Sequence, residues 1–188
     1  MINEDAAKIR IERFDKNCRA DFFELHSEKN GGGWCYCVAW WVDTWENWGQ
    51  RTASENRRYR EGLLDEGNYD GYLAYILDKP VGWCQVGPRD RLKKLVRQFD
   101  LKPDPDAWAI TCFHIAPAYR RQRLASYMLK AVLDDLSNRG IKKVEAFPRH
   151  DNSAADDDLW TGPKKMYLKA GFKQLAINDK VTILILEL

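Results

Sequence analysis

Long hydrophobic runs are missing from this chain. No stretch approaches 18 uncharged apolar residues, which excludes a membrane-crossing helix and leaves a membrane partner without support. Paired cysteines are missing too. Five cysteines, an odd number at irregular spacing, give no disulfide framework and point to a reducing, cytoplasmic setting. There is no internal repeat and no low-complexity linker to divide the chain. The opening residues, MINEDAAKIR, are too charged to read as a secretory leader. Strong net charge is also lacking: 30 Lys+Arg against 28 Asp+Glu leave +2.

What is present is an ordinary soluble composition, 45% hydrophobic and 31% charged over 188 residues. A chain of that length buries about 70% of its unfolded surface without staples. The expectation is one domain over 1–188, with an aromatic-rich insertion at about 30–52. The charge is unevenly spread. Residues 1–80 hold 11 basic and 15 acidic side chains, 81–150 hold 14 and 7, and 151–188 hold 5 and 6. An anionic ligand is therefore expected in the middle of the chain, against the alternative of a solvated basic face.

Periodicity sets out the elements. KIRIERF (8–14) alternates as a strand does, and 18–28 reads as a short helix stopped by Asn30-Gly31-Gly32-Gly33. WCYCVAWW (34–41) reads as a buried strand, and 53–66 as a charged helix with Ser54 as its cap. Residues 71–77 and 81–86 form a hairpin across Asp78-Lys79-Pro80. A basic amphipathic stretch covers 89–99. Strand 107–116 ends at Pro117. Leu124, Met128, Val132 and Leu136 mark a helix over 122–139 that stops at Gly140. Strand 141–147, a polar loop, a helix over 163–170, and strands 172–177 and 181–188 complete an α+β domain with a mixed sheet.

The informative unit is the strand–turn–helix at 107–139. A strand entering a helix through a tight basic turn presents free helix N–H groups and the positive end of the dipole to an anion. The turn reads Pro117-Ala118-Tyr119-Arg120-Arg121-Gln122-Arg123-Leu124-Ala125. Three arginines at a helix start suit a bound pyrophosphate.

At this point the chain resembles the GNAT acetyltransferase superfamily, whose acetyl-CoA loop runs Arg/Gln-x-x-Gly-x-Gly/Ala. Arg120 and Ala125 match its outer positions, and Arg123 replaces the middle glycine. Pro80-Val81-Gly82-Trp83 resembles the hairpin before the CoA strand. Met166-Tyr167-Leu168-Lys169-Ala170-Gly171-Phe172 resembles the family's C-terminal Tyr-x-Lys-x-Gly-Phe stretch. Together these cover about residues 70–188. The resemblance implies a single-domain, mostly antiparallel mixed sheet flanked by helices, and direct acetyl transfer from acetyl-CoA to an amine. It also implies CoA contacts from Phe113, His114, Ile115, Arg120, Arg121, Gln122, Arg123, Leu124, Ala125 and Ser126, with Asn152 beyond the fifth core strand. Arg123 is expected to be plainly helical, where its Cβ costs nothing; the alternative is a positive φ at that position, which would weaken CoA binding.

Acetyl transfer needs a polarised thioester carbonyl, a neutral amine and a proton for the leaving thiolate. A backbone N–H in Phe113–Ala116, with Ile115 the candidate, serves the first. By resemblance Tyr167 serves the last; the alternative is a packing aromatic. The base is not evident. His114 can face either side of its strand, His150, Glu145, Asp151 and Asp156–Asp158 are further candidates, and a water chain is the alternative. The rival is a catalytically weak acyl-CoA-sensing module, motivated by Arg123 and the unassigned base. An RNA-binding role for basic residues 89–97 is disfavoured, because the basic excess stops outside 81–150. Trp34, Trp40, Trp41, Trp45 and Trp48 cluster in 34–48 and are expected to border the acceptor site or a homodimer interface. Cys35, Cys37, Cys84 and Cys112 read as reduced core thiols rather than a zinc site, so no metal is expected.

Overall fold

The computed structural model describes residues 9–149, 160–177 and 181–188. In chain order the strands and helices are β1 (Ile9–Arg13), α1 (Arg19–Leu25), α2 (Ala53–Asp65), β2 (Tyr72–Ile76), β3 (Lys79–Pro88), α3 (Lys93–Gln98), β4 (Ala107–Ile115), α4 (Leu124–Asn138), β5 (Lys143–Ala146), α5 (Lys164–Lys169), β6 (Lys173–Ile177) and β7 (Thr182–Glu187). They build one sheet of seven strands in the order β1-β2-β3-β4-β5-β7-β6. Every pairing is antiparallel except β4 with β5. That single parallel pair is the one joined by a helix, as a crossover requires. No described helix is long and apolar enough to cross a membrane.

Strand alternation sorts the core. Tyr72, Ala74 and Ile76 face α4, packing with Met128, Val132 and Leu136. Leu73 and Tyr75 face the opposite layer, with Phe22 and Leu25 of α1 and Leu64 of α2 around Trp83. The four-residue spacing of α4 thus closes one face of the sheet.

Four local expectations are corrected. Residues 34–41 form no strand. Tyr36 and Cys37 stand at φ 45° and 53°, which breaks any extended run, and the segment lies as irregular turns against the sheet. The buried aromatics that mimic a strand pattern are there packing a loop. The cap of α2 is Thr52, not Ser54: its hydroxyl accepts from Glu55 N–H while Glu55 returns to the Thr52 backbone. The hairpin turns through Leu77-Asp78, both left-handed, so β3 already begins at Lys79. Arg123 is not helical; it is the N-cap of α4 at φ 66°.

The basic stretch 89–99 is turned inward. Arg89 and Lys94 are buried, Arg91 pairs with Asp70, and Arg97 donates to the Asp43 carbonyl. Arg89, Arg91, Lys94 and Arg97 are thus engaged within the fold, and Lys93 is exposed.

Candidate active site

β4 and β5 pair only from Ala107–Ile110 against Lys143–Ala146. Beyond that they part. Pro148 takes the chain after β5 toward β7, where its carbonyl accepts from Thr182 N–H. Thr111 bulges out of register, since Gln85 pairs with Cys112 and Val86 with Ile110. Alternate N–H groups of β4 then point into the gap. Ala116 N–H donates back to Val81, so the N–H of Ile115 points the other way. The Phe113 N–H points into the gap too, but it is taken by the Trp160 carbonyl at 2.6 Å. Ile115 N–H therefore lies on the gap side of β4.

The turn at the mouth of this gap is tightly made. Arg121 and Arg123 both hold positive φ, 59° and 66°. For a side chain with a Cβ, that conformation costs on the order of 1 kcal/mol. The turn thus keeps the glycine-like backbone with arginine in the glycine's place. Arg120 Nε donates to the Ile115 carbonyl at 2.9 Å, anchoring the turn to β4. Gln122 Nε2 donates to Ala118 at 2.8 Å. The first-turn N–H groups of α4 open on a cleft of about 410 Å³.

Of the expected cofactor contacts, Phe113, His114, Ile115, Arg120, Arg121, Arg123, Leu124, Ala125 and Ser126 line this cleft. Gln122 does not. Asn152, with His150, Asp151 and Asp156–Asp158, lies outside the described residues. Sequence reasoning missed Tyr119, Trp160, Gly162 and Met166 on the walls. A larger hollow of about 520 Å³ between α4, α5 and β7 shares only Ser126 and Met166 with the cleft.

A second cavity of about 310 Å³ opens on the α1 side. Trp34, Tyr36, Trp45, Trp48 and Trp160 form its walls, and Cys35, Cys37 and Cys112 lie along it. Trp40 instead packs among Leu95, Phe147 and Ile183 in the core. Gly31, Phe113, His114 and Trp160 line both cavities, so the two meet at β4. Gly31, which the sequence marks as a helix stop, thus also lines the junction of the two cavities.

At that junction sit two histidines with rings 5.1 Å apart. His114 Nε2 lies 3.3 Å from the Leu25 carbonyl, and His26 Nδ1 lies 2.9 Å from the Phe22 carbonyl. A carbonyl only accepts, so these nitrogens carry the hydrogens, and His114 Nδ1 is the basic one. Burial, then the neighbouring His114, push the His26 pKa well below its ordinary value, so it stays neutral. Nothing in the sequence pattern singled out His26.

Tyr167 does not reach the cleft. It is fully buried, and its hydroxyl donates to the Thr161 carbonyl at 2.7 Å. Burial pushes its pKa well above the ordinary phenol value. Its ring packs on Phe172, and its hydroxyl closes around Gly162, whose φ of 81° and missing Cβ make room. The visible work of the hydroxyl is to hold the 161–163 wall of the cleft.

A splayed parallel strand pair with an arginine-rich turn opening a helix defines the acetyltransferase class. The sequence matches the Acetyltransferase (GNAT) family over residues 20–172, and the chain belongs to that family. Solved structures share the fold. PaiA N-acetyltransferase from Thermoplasma acidophilum, in complex with coenzyme A, is 15% identical over 96% of this chain and 99% of its own, at TM-score 0.57. The ribosomal-protein-S18-alanine N-acetyltransferase from Escherichia coli is 14% identical over 95% and 93%, at 0.55. yncA from Salmonella typhimurium, solved with its cofactor acetyl-CoA, is 15% identical over 96% and 94%, at 0.57. No curated protein matches the sequence.

Proposed function

We propose that this chain is an acetyl-CoA-dependent N-acetyltransferase that moves the acetyl group directly to an amine held in the aromatic cavity. The observation that carries the reading is the meeting of the two cavities along Phe113 and His114 of β4. CoA pyrophosphate would lie on the turn and the start of α4, with Arg120, Arg121 and Arg123 supplying charge. Ile115 N–H would polarise the thioester carbonyl, and His114 Nδ1 would take the amine's proton. Release of CoA thiol from acetyl-CoA in the presence of an amine panel tests this. Tight CoA binding with no amine-dependent release would favour the acyl-CoA-sensing reading instead. A cytoplasmic setting fits five free thiols.

Arg120→Glu should weaken CoA binding at least about tenfold, as loss of one charge-assisted contact predicts. Calorimetry checks it, and unchanged affinity would move the pyrophosphate elsewhere.

Tyr167→Phe separates a wall from an acid. With its hydroxyl on Thr161, we expect turnover to stay within about tenfold while stability falls by about 1–3 kcal/mol, because a buried carbonyl loses its donor. A loss of about 10²–10⁴-fold at unchanged melting temperature would instead make Tyr167 the proton donor.

A further inference from the structure

Arg60 of α2 is completely buried and has no carboxylate ion-pair partner among the described residues. Its Nε donates to the Tyr36 carbonyl at 3.0 Å, its Nη2 to the Cys37 carbonyl and to Gln85 Oε1, and its Nη1 has no partner. Arginine does not give up its proton, and a lone buried cation is costly. The groups that act on its charge are the thiols of Cys37, Cys35 and Cys112 and then the Asp70 carboxylate.

Cys37 stands where donors converge. Burial among these groups pushes its thiol up. The neighbouring Cys112 thiol and the Arg60 charge outweigh that and bring it below the ordinary thiol value. Gln85 Oε1, 3.6 Å from the Cys37 sulfur, accepts from the thiol form and opposes ionisation. It cannot turn its amide, because its Nε2 is held by the Asp70 carbonyl at 2.8 Å. Cys35 on the same loop and Cys84 on β3 stay thiols, Cys35 pushed up to about 11 by burial. Cys112 on β4 is driven well above the ordinary thiol value, first by the neighbouring Cys37 and then by burial. Cys37 and Cys112 both line the 310 Å³ aromatic cavity, so small reagents can reach them from it.

We propose that Cys37 and Cys112 form a hydroperoxide-sensitive thiol pair in the wall of the aromatic cavity, with Cys37 attacking and Cys112 resolving. The Cys37 thiolate attacks the nearer peroxide oxygen, the O–O bond breaks, and hydroxide leaves. Cys37 becomes a sulfenic acid, oxidised by two electrons, and the peroxide is reduced to water. With the charge on Cys37 gone, what held the Cys112 proton is gone as well, and Arg60 remains beside it. The Cys112 thiolate then displaces hydroxide from the Cys37 sulfur, giving a disulfide and a second water. The bond ties the irregular 34–41 loop to β4 and changes the cavity shape. Only the consequence for acceptor binding rests on the proposed function.

The test uses the intact chain and hydrogen peroxide, read by mass spectrometry. The expected product is ~2 Da lighter, with one peptide pair joined through Cys37 and Cys112. Cys112→Ser should stop at a sulfenic acid on Cys37 that dimedone captures, and Cys37→Ser should leave Cys112 unreactive. In the unmutated chain, iodoacetamide labelling of Cys37 should rise with a midpoint below that of an ordinary thiol, about 8.5. A midpoint at or above about 8.5, or oxidation that starts at Cys35 or Cys84, overturns the proposal. None of these readouts involves acetyl transfer, so their failure leaves the proposed function untouched.

Discussion

His114→Gln is expected to lower turnover by about 10²–10⁴-fold while leaving CoA affinity within about twofold, the range for removing a positioned general base. An amine at neutral pH is mostly protonated and cannot attack until a base takes that proton. His114 stands where the two cavities meet, with Nε2–H donating to the Leu25 carbonyl, which makes Nδ1 the lone-pair nitrogen of the ring. Glutamine keeps the volume and a donor toward Leu25 but has no basic nitrogen. The pH profile separates a base from a wall. In the unmutated chain turnover falls as pH drops and the imidazole takes a proton; in the variant it follows only the amine's own ionisation. An unaltered profile, with turnover within about tenfold, would leave His114 as a wall and give proton removal to water. The neutral His26 ring beside it adds no second cation.

The parts of this site legible in the sequence are those set by local rules. The α4 periodicity, its Gly140 stop and the strand before Pro117 each depend on neighbours a few residues away, and each stands where the pattern puts it. The turn residues from Arg120 to Ser126 follow from the same unit. Arg123 shows where local reading fails. Helical φ is the cheaper choice for arginine, and here the anchoring of Arg120 on Ile115 fixes the turn around it and overrides that choice. Residues 34–41 fail for a different reason. Apolarity was read as a strand, but burial against Phe147 and Leu95 can as well be supplied by a loop. His26 and Arg60 were invisible because nothing near them in sequence signals their role. Only the packing of α1 and α2 on the sheet brings His26 to the cavity and Arg60 to the Tyr36 and Cys37 carbonyls.

Arg89→Met is expected to destabilise the fold by about 3–5 kcal/mol, the cost of stripping one partner from a buried ion pair. Arg89, just past β3, reaches over β4 to Glu145 on β5, with Nη1 at 2.9 and 3.1 Å from the two carboxylate oxygens. Both side chains are only 4% exposed. The pair ties β5 to the sheet just before β4 and β5 part, so it holds the closed end of the gap. In the variant Glu145 is left buried and charged. A lone buried carboxylate sheds that penalty by taking a proton, so the variant should lose less stability at pH 5 than at pH 8. Urea unfolding at both pH values measures this. Replacing both residues, Arg89→Met with Glu145→Leu, should recover most of the loss and remove its pH dependence, since the uncompensated charge is gone. Equal losses at the two pH values, or no recovery in the double variant, would mean that Arg89 acts through its bonds to Asp90 and the Lys102 carbonyl rather than through Glu145.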